Sequence, residues 1–243
     1  MARVLACAVL ACALAGPLAI VPAVSLAATP HATVSVASEY LYRGLTRSRG
    51  APSAQLAASV DTDSGWGAGL AAATVDMNPG RGATMEFSGY VSWRRELARD
   101  WVLAAQLARY EYPHDLAALP YDYTEGGVSL AWRRILTLYV GASPDYSFYS
   151  RRGIVRDRTA VYTQLALAWP VRPWLDVTAG YGRADLERLF GAKYDYWSAG
   201  LQGGRGRLTL ALSYVDTSSS ARDLFGNTAA DGQWTVSAGW RLR

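Results

Sequence analysis

Gln233-Trp234-Thr235-Val236-Ser237-Ala238-Gly239-Trp240-Arg241-Leu242 alternates without a fault. Trp234, Val236, Ala238, Trp240 and Leu242 share one face, and Gln233, Thr235, Ser237, Gly239 and Arg241 share the other, which is the period of two that a β-strand imposes. One face is apolar and the other polar. A strand of about ten residues with this pattern could half-cover a soluble core, but it also has the length of a tilted strand crossing a bilayer in a barrel wall. The pattern recurs about a dozen times along the chain, which favours the barrel.

The recurrences can be taken in chain order. Thr33 to Arg43 reads as strand one, with Val34, Val36, Tyr40 and Tyr42 outward and Ser35, Glu39 and Arg43 inward. Strand two, from Ser53 to Val60, turns Gln55 inward, and strand three runs from Trp66 to Val75. Strand four places Phe87, Val91 and Trp93 outward against Glu86, Tyr90 and Arg94, and strand five places Trp101, Leu103 and Leu107 against Gln106. Val128, Leu130 and Trp132 mark strand six, and Leu136, Leu138 and Val140 mark strand seven. Val161, Leu165, Leu167 and Trp169 form strand eight opposite Tyr162 and Gln164, and Pro170-Val171-Arg172-Pro173 reads as a turn, since two prolines stop a ladder. Leu175, Val177, Ala179 and Tyr181 face away from Asp176 in strand nine. Trp197, Ala199 and Leu201 face away from Gln202 in strand ten, and after a turn at Gly203-Gly204-Arg205-Gly206, Leu208 to Tyr214 make strand eleven. The stretch quoted first is the twelfth.

Two further signals agree. Connections after even-numbered strands are short and those after odd-numbered strands are mostly long, reaching about a dozen residues around Tyr146 to Asp157 and Thr217 to Asp231. Trp66, Trp93, Trp101, Trp132, Trp169, Trp174 and Trp240, seven of nine tryptophans, fall at the short-turn rim. Most tyrosines (Tyr40, Tyr42, Tyr110, Tyr112, Tyr121, Tyr123, Tyr146, Tyr149, Tyr181, Tyr194, Tyr196, Tyr214) fall at or beyond the other rim. Rings with an apolar body and a polar edge prefer the headgroup level, so two aromatic girdles at two interfaces are expected.

Upstream, Arg3 precedes an uncharged run from Val4 to Ala23, and the small residues of Val24-Ser25-Leu26-Ala27-Ala28 suit signal peptidase. Residues 1–27 therefore read as a cleaved export signal and 28–243 as one barrel domain; an uncleaved anchor is the alternative. Leu10-Ala11-Cys12 only faintly matches a lipoprotein box, because the apolar run continues past it. Both cysteines, Cys7 and Cys12, lie in the signal, leaving no disulfide framework and no cysteine metal site in the mature chain. With 51% hydrophobic residues and no later apolar run of about twenty, a helical membrane bundle is excluded and a barrel is not. The fold class is thus all-β, a transmembrane antiparallel barrel of about twelve strands.

Ser38-Glu39-Tyr40-Leu41-Tyr42-Arg43-Gly44-Leu45-Thr46-Arg47-Ser48, followed by Pro52-Ser53-Ala54-Gln55, resembles the TorF-type porins, an exported bacterial family long described as of unknown function. The family's pattern there is similar to S-x-Y-x-x-R-G-x-S-x-S and then P-A-x-Q. Thr46 replaces one serine here, and Ser53 intervenes after Pro52. The resemblance implies an outer-membrane barrel acting as a channel, and brings no catalytic residues. Such barrels usually end in an aromatic residue read by the barrel-assembly machinery, whereas this chain ends Trp240-Arg241-Leu242-Arg243, which displaces that signal.

Twelve strands enclose more than a packed eight-stranded barrel and less than a wide porin. Glu39, Arg43, Gln55, Glu86, Tyr90, Arg94, Gln106, Gln164, Asp176, Gln202 and Arg241 are the expected lumen lining. They could line a narrow channel or pair into a salt-bridged plug. In the channel reading, small polar or anionic solutes diffuse passively, Arg43, Arg94 and Arg241 set charge preference, and Glu39, Glu86 and Asp176 narrow the path. Of 24 basic residues only Lys193 is lysine, which suits anions or lipopolysaccharide phosphates but also a GC-rich genome. Arg151, Arg152, Arg156 and Arg158 cluster in a long loop that could grip lipopolysaccharide.

The expected partners are outer-membrane lipid, lipopolysaccharide, small solutes and, during biogenesis, the assembly machinery. Nucleic acid is not expected for an exported chain with a net charge of only +4. No catalytic residue, metal site or cofactor is expected. An outer-membrane lipid-modifying enzyme would need a base beside its nucleophile, and His31, before strand one, and His114, in a loop, offer none on a strand wall. Asp185 with Glu187 and Asp61 with Asp63 read as loop chemistry. The alternative to a channel is a non-conducting barrel acting structurally or adhesively through its outer loops.

Overall fold

Alternation at Gln233–Arg241 folds as a strand, β14, whose neighbours on either side close the sheet upon itself. The structure, a computed structural model, describes residues 29–77, 84–113, 121–150 and 153–242. Twelve antiparallel strands form the barrel: β1 (Thr29–Ala37), β4 (Ser53–Asp61), β5 (Trp66–Thr74), β6 (Met85–Ala98), β7 (Trp101–Glu111), β8 (Tyr123–Trp132), β9 (Leu136–Ser150), β10 (Gly153–Arg172), β11 (Leu175–Leu186), β12 (Ala192–Arg205), β13 (Leu208–Thr217) and β14. Closure is made by β1, which pairs β4 on one edge and β14 on the other, for example Val34 with both Leu56 and Trp240. No edge is left unpaired, the condition for a sheet in hydrocarbon.

The outer wall carries the apolar residues that the alternation assigned to it. Leu70 is 70% exposed, Trp234 64% and Val36 54%, and their neighbours around the wall are similar. A soluble protein seldom exposes contiguous apolar area beyond a few hundred Å². Here the apolar face encircles the barrel, so its solvent is lipid. Short connections of two to four residues (Thr62–Gly65, Arg99–Asp100, Arg133–Ile135, Pro173–Trp174, Gly206–Arg207) sit at one rim with the start of β1 and the end of β14. The other connections, longer except between β9 and β10, sit at the opposite rim, where α1 (Glu187–Phe190), α2 (Ser219–Phe225) and α3 (Asn227–Ala230) lie.

Several expectations require correction. Strand one does not reach Arg43: β1 ends at Ala37, and residues beyond it leave the wall and fold into the lumen as a hairpin, β2 (Leu41–Tyr42) and β3 (Leu45–Thr46). Tyr40 and Tyr42, expected outward, are buried. The tyrosine girdle is mostly an interior cluster: Tyr110, Tyr112, Tyr121, Tyr123, Tyr146, Tyr194 and Tyr196 are buried as well. The outer aromatic ring at that level is smaller, with Tyr181 exposed and Tyr214 set between Trp197 and Trp234 at centroid distances of 5.5 and 5.3 Å.

Elsewhere the strands run further than expected. The segment around Tyr146 to Asp157 is not a loop, because β9 and β10 continue pairing to Ser150 and Gly153. Their register shifts between Val155 and Arg158 and again between Arg158 and Ala160, and Asp157 takes φ 52°, the signature of a bulged residue. The ladder also survives Pro170, which pairs opposite Asp176, and breaks register only beyond it. Gly203 to Arg205 stay in β12, and the turn is at Gly206. Residues 1–28, His114, Arg151 and Arg152 lie outside the described residues.

Leu210, half exposed on the lipid face, and Gln202, half-buried on the lumen face, supply a direct test of facing. Leu210→Arg should cost about 2–4 kcal/mol in urea unfolding from lipid vesicles if it lies near the midplane, and Gln202→Arg should cost little.

Candidate functional site

Residues 38–52 depart from the wall because their sequence suits a tight turn better than a membrane strand. Tyr42-Arg43-Gly44-Leu45 closes the β2–β3 hairpin with φ of 53° at Arg43 and 80° at Gly44, positive at both central positions as a type I′ turn requires. A side chain at Gly44 would collide with Tyr196 of β12 and Thr217 of β13, so the tip packs directly on the wall. The base is pinned by Tyr40 N–H donating to Ser48 Oγ (2.9 Å) and Arg47 N–H donating to the Tyr40 carbonyl (2.7 Å). Asp76 N–H donates to the Arg47 carbonyl (2.7 Å), tying the hairpin to the chain beyond β5.

Two polar clusters hold the hairpin across the lumen. In the first, Arg43 Nη1 and Nη2 donate to Glu125 Oε2 (2.8 Å) and Oε1 (2.5 Å) in a bidentate pair, both side chains buried. Tyr139 and Tyr42 hydroxyls donate to the same carboxylate at 2.7 and 3.2 Å. The guanidinium also sits 3.3 Å from the centroid of the Tyr162 ring, a cation–π contact. In the second cluster, Glu86 accepts from the Tyr40 hydroxyl (2.8 Å) and from Tyr112, and Arg47 lies 3.6 Å away while donating to Tyr112. Burial first, and then the Glu86 carboxylate, push the Tyr40 phenol well above the ordinary tyrosine range, keeping it a donor.

Aromatic and apolar packing fills the space around these clusters. Tyr110 stacks on Tyr123 at 4.6 Å, and Tyr123 meets Tyr146 edge-on at 5.0 Å. Above the hairpin, Phe225 packs on Tyr194 (5.9 Å) and Phe190 (6.0 Å), and Leu189, Ala221, Leu224 and Ala230 of the loop helices are buried. The long-loop half of the barrel is therefore a packed core.

The short-turn half differs. Gln55, Tyr90, Gln106, Gln164, Asp176 and Gln202 stand at inward positions and are half-buried. Around them the inward positions are small: Ser35, Ala57, Ala71, Ser88, Gly180 and Ser237. Gln164 accepts from the Tyr196 hydroxyl (3.3 Å), and Asp176 stands opposite Gln202 in register. A cavity of about 20 Å³ beside His31, Ser59, Ser88, Tyr90, Gln106 and Tyr110 has room for about one water.

The eleven expected lining residues therefore divide by level. Arg43 and Glu86 enter the hairpin clusters, and Glu39, buried beside the hairpin rather than on a strand, accepts from Gly50 N–H (2.8 Å). Six line the lower lumen. Arg94, half-buried beside Asp61, and Arg241, exposed, belong to the short-turn rim. His31 corrects an expectation, for it lies within β1 directly opposite Ser59. Its Nε2 has no hydrogen-bond partner among the described residues, so no proton relay to the serine is formed through that atom. Arg47, Glu125 and Tyr139 were not anticipated, and Tyr162 was expected on the inward face of its strand without a role. Strand parity would have found Glu125, since Val128, Leu130 and Trp132 fix the even positions of β8 as lipid-facing.

With that geometry established, likeness to known proteins becomes informative. The family model described as "Bacterial protein of unknown function (Gcw_chp)" matches residues 24–239. The chain belongs to this family. No curated protein matches its sequence. Among solved structures, the Gcw_chp barrel is similar to a KdgM porin in complex with disordered oligogalacturonate, with a TM-score of 0.56, 5% identity, and coverage of 88% of this chain and 100% of that one. It is similar to the NanC porin to the same TM-score and coverages, at 10% identity. Likeness at these identities establishes the fold, a twelve-stranded barrel of porin type.

Removing one partner of the Arg43–Glu125 pair leaves a buried charge uncompensated. Glu125→Ala should lower stability by about 3–5 kcal/mol in urea unfolding, and the double substitution Arg43→Met with Glu125→Leu should cost less than Glu125→Ala alone.

Proposed function

We propose that this Gcw_chp protein is a narrow, porin-like channel of the bacterial outer membrane, held shut in its resting state by the lumen hairpin. The observation that carries the proposal is the division of the lumen. Its short-turn half is lined by amides, hydroxyls, small residues and one carboxylate, Asp176, partly open to solvent, and its other half is sealed by a segment that is not part of the wall. Wall side chains that filled a lumen would close it permanently. A hairpin hung on polar pairs can leave as a unit. The resemblance of residues 38–55 to TorF-type porins supports the same reading.

Small neutral polar solutes suit this lumen better than anions. Arg43 is neutralised by Glu125, so it offers no unbalanced positive charge to a passing ion, and the lower lumen carries the Asp176 carboxylate. The short-turn rim faces the periplasm, and the loop helices face outward.

One observation favours a second reading, a non-conducting barrel acting through its outer loops: the buried apolar contacts of Leu189, Phe190, Leu224 and Ala230 over the hairpin make the seal two layers deep.

Single-channel recording in planar bilayers under a salt gradient separates the two. Wild-type protein should conduct rarely, Glu125→Ala often, and a variant with residues 39–48 replaced by a glycine-serine linker persistently, with a reversal potential near zero. Folded barrels that stay silent in all three forms would overturn the channel reading in favour of the second.

A further inference from the structure

Four of the five short turns carry an exposed arginine next to a tryptophan of the same rim. Arg99 precedes Trp101, Arg133 follows Trp132, Arg172 lies three residues beyond Trp169 at the end of β10, and Arg207 is joined to the strand of Trp240 by the Arg241 N–H donating to its carbonyl (3.0 Å). In the second of these the guanidinium lies 5.0 Å from the indole centroid. Tryptophan rings seek the headgroup boundary, so an arginine one to three residues further from the midplane reaches about 3–10 Å beyond it, toward the phosphates.

Charge at this rim is unbalanced. Arg95, Arg99, Arg172, Arg205, Arg207 and Arg241 are exposed, and among the described residues none of the six forms an ion pair. The nearby carboxylates are mostly withdrawn: Asp61 is buried, Asp63, Asp100 and Asp176 are half-buried, and Asp100 is paired with Arg133 at 3.1 Å. Glu96 alone among the rim's described carboxylates is exposed. At the opposite rim most outward cations are matched, Arg49, Arg158 and Arg188 being exposed there without an ion pair among the described residues. Arg109 meets Glu111, Asp122 and Asp145, Arg183 meets Asp195, Lys193 meets Asp185 and Glu187, and Arg222 meets Asp216 and Asp231. Arginine abundance alone would load both rims alike. Among the described residues, six exposed arginines lack an ion pair where tryptophans fix the bilayer boundary, against three at the opposite rim.

We infer that the short-turn rim is a docking belt for anionic phospholipid, with tryptophans seated at the glycerol level and the arginines binding lipid phosphates from outside it. A guanidinium fork matches phosphate oxygens in two parallel hydrogen bonds, which favours a headgroup whose phosphate charge is not cancelled by an amine. Phosphatidylglycerol meets this requirement and phosphatidylcholine does not. This belt is independent of whether the lumen conducts.

Tryptophan quenching by brominated lipids reads the belt directly, because seven of the nine tryptophans lie on it. Refolded protein in phosphatidylcholine vesicles containing a minor share of brominated phosphatidylglycerol should be quenched as though that lipid were enriched about three-fold at the wall, relative to brominated phosphatidylcholine at equal share. The triple variant Arg99→Gln, Arg172→Gln, Arg207→Gln should lose the excess, and Arg158→Gln, exposed on the long-loop side, should keep it. Should the triple variant not refold, a salt series on wild type decides: the excess should vanish near 1 M salt, where screening acts within about 3 Å. Equal quenching by the two lipids, an excess that survives the triple substitution, or an excess indifferent to salt would each overturn the belt. Displacement of brominated phosphatidylglycerol by lipid A would overturn its assignment to phospholipid.

Discussion

The bidentate contact between Arg43 and Glu125 is the constraint on which the interior depends. It joins a turn that follows the first wall strand to a carboxylate on β8, across the lumen, where both side chains are buried. A buried pair of this kind adds little net stability over an apolar filling, but it is intolerant of losing one partner. Its effect is specificity of placement. With Arg43 held at Glu125 and stacked against Tyr162, Gly44 is pressed onto Tyr196 and Thr217, Tyr40 is brought to Glu86, and the loop helices find an apolar surface to cover.

The wall and the hairpin obey different physics. Lipid asks of the wall only alternation and closure, and the sequence meets that demand so regularly that strand number, facing and loop parity follow from it. Inside, no periodic rule operates. Tyrosines at inward positions lie against glycines of the neighbouring strand, Tyr90 over Gly69 and Tyr196 over Gly182, so large rings lie along the wall. Below the hairpin the same economy of side-chain volume leaves Gln55, Gln106, Gln164 and Gln202 reachable by solvent.

This contrast explains what could be read before folding. The alternation of Gln233–Arg241 and of each hydrophobic strand determined the barrel, and the inward facing of Gln55, Gln106 and Asp176 followed from parity alone. Ser38 to Ser48 misled because Tyr40 and Tyr42 keep the outward period of Val34 and Val36 after the chain has left the wall. The sign of departure was Arg43-Gly44 between two apolar residues, a two-residue turn after which the stretch from Leu45 to Pro52 is too short to cross a bilayer. Glu125 and the inward tyrosines were legible by extending strand parity upward. The partner of Arg43 was not, because a contact over 82 positions leaves no local mark.

Amide hydrogen exchange of the reconstituted protein, read separately for residues 40–47 and for the barrel strands, tests most directly whether the hairpin is a seal that opens on its own. The account predicts slow exchange at the Arg47 amide in wild type and accelerated exchange across the hairpin in Arg43→Ala, with the strands unchanged, because local opening draws on local contacts. Fast exchange of the hairpin in wild type, or exchange that Arg43→Ala leaves unaltered, would contradict it.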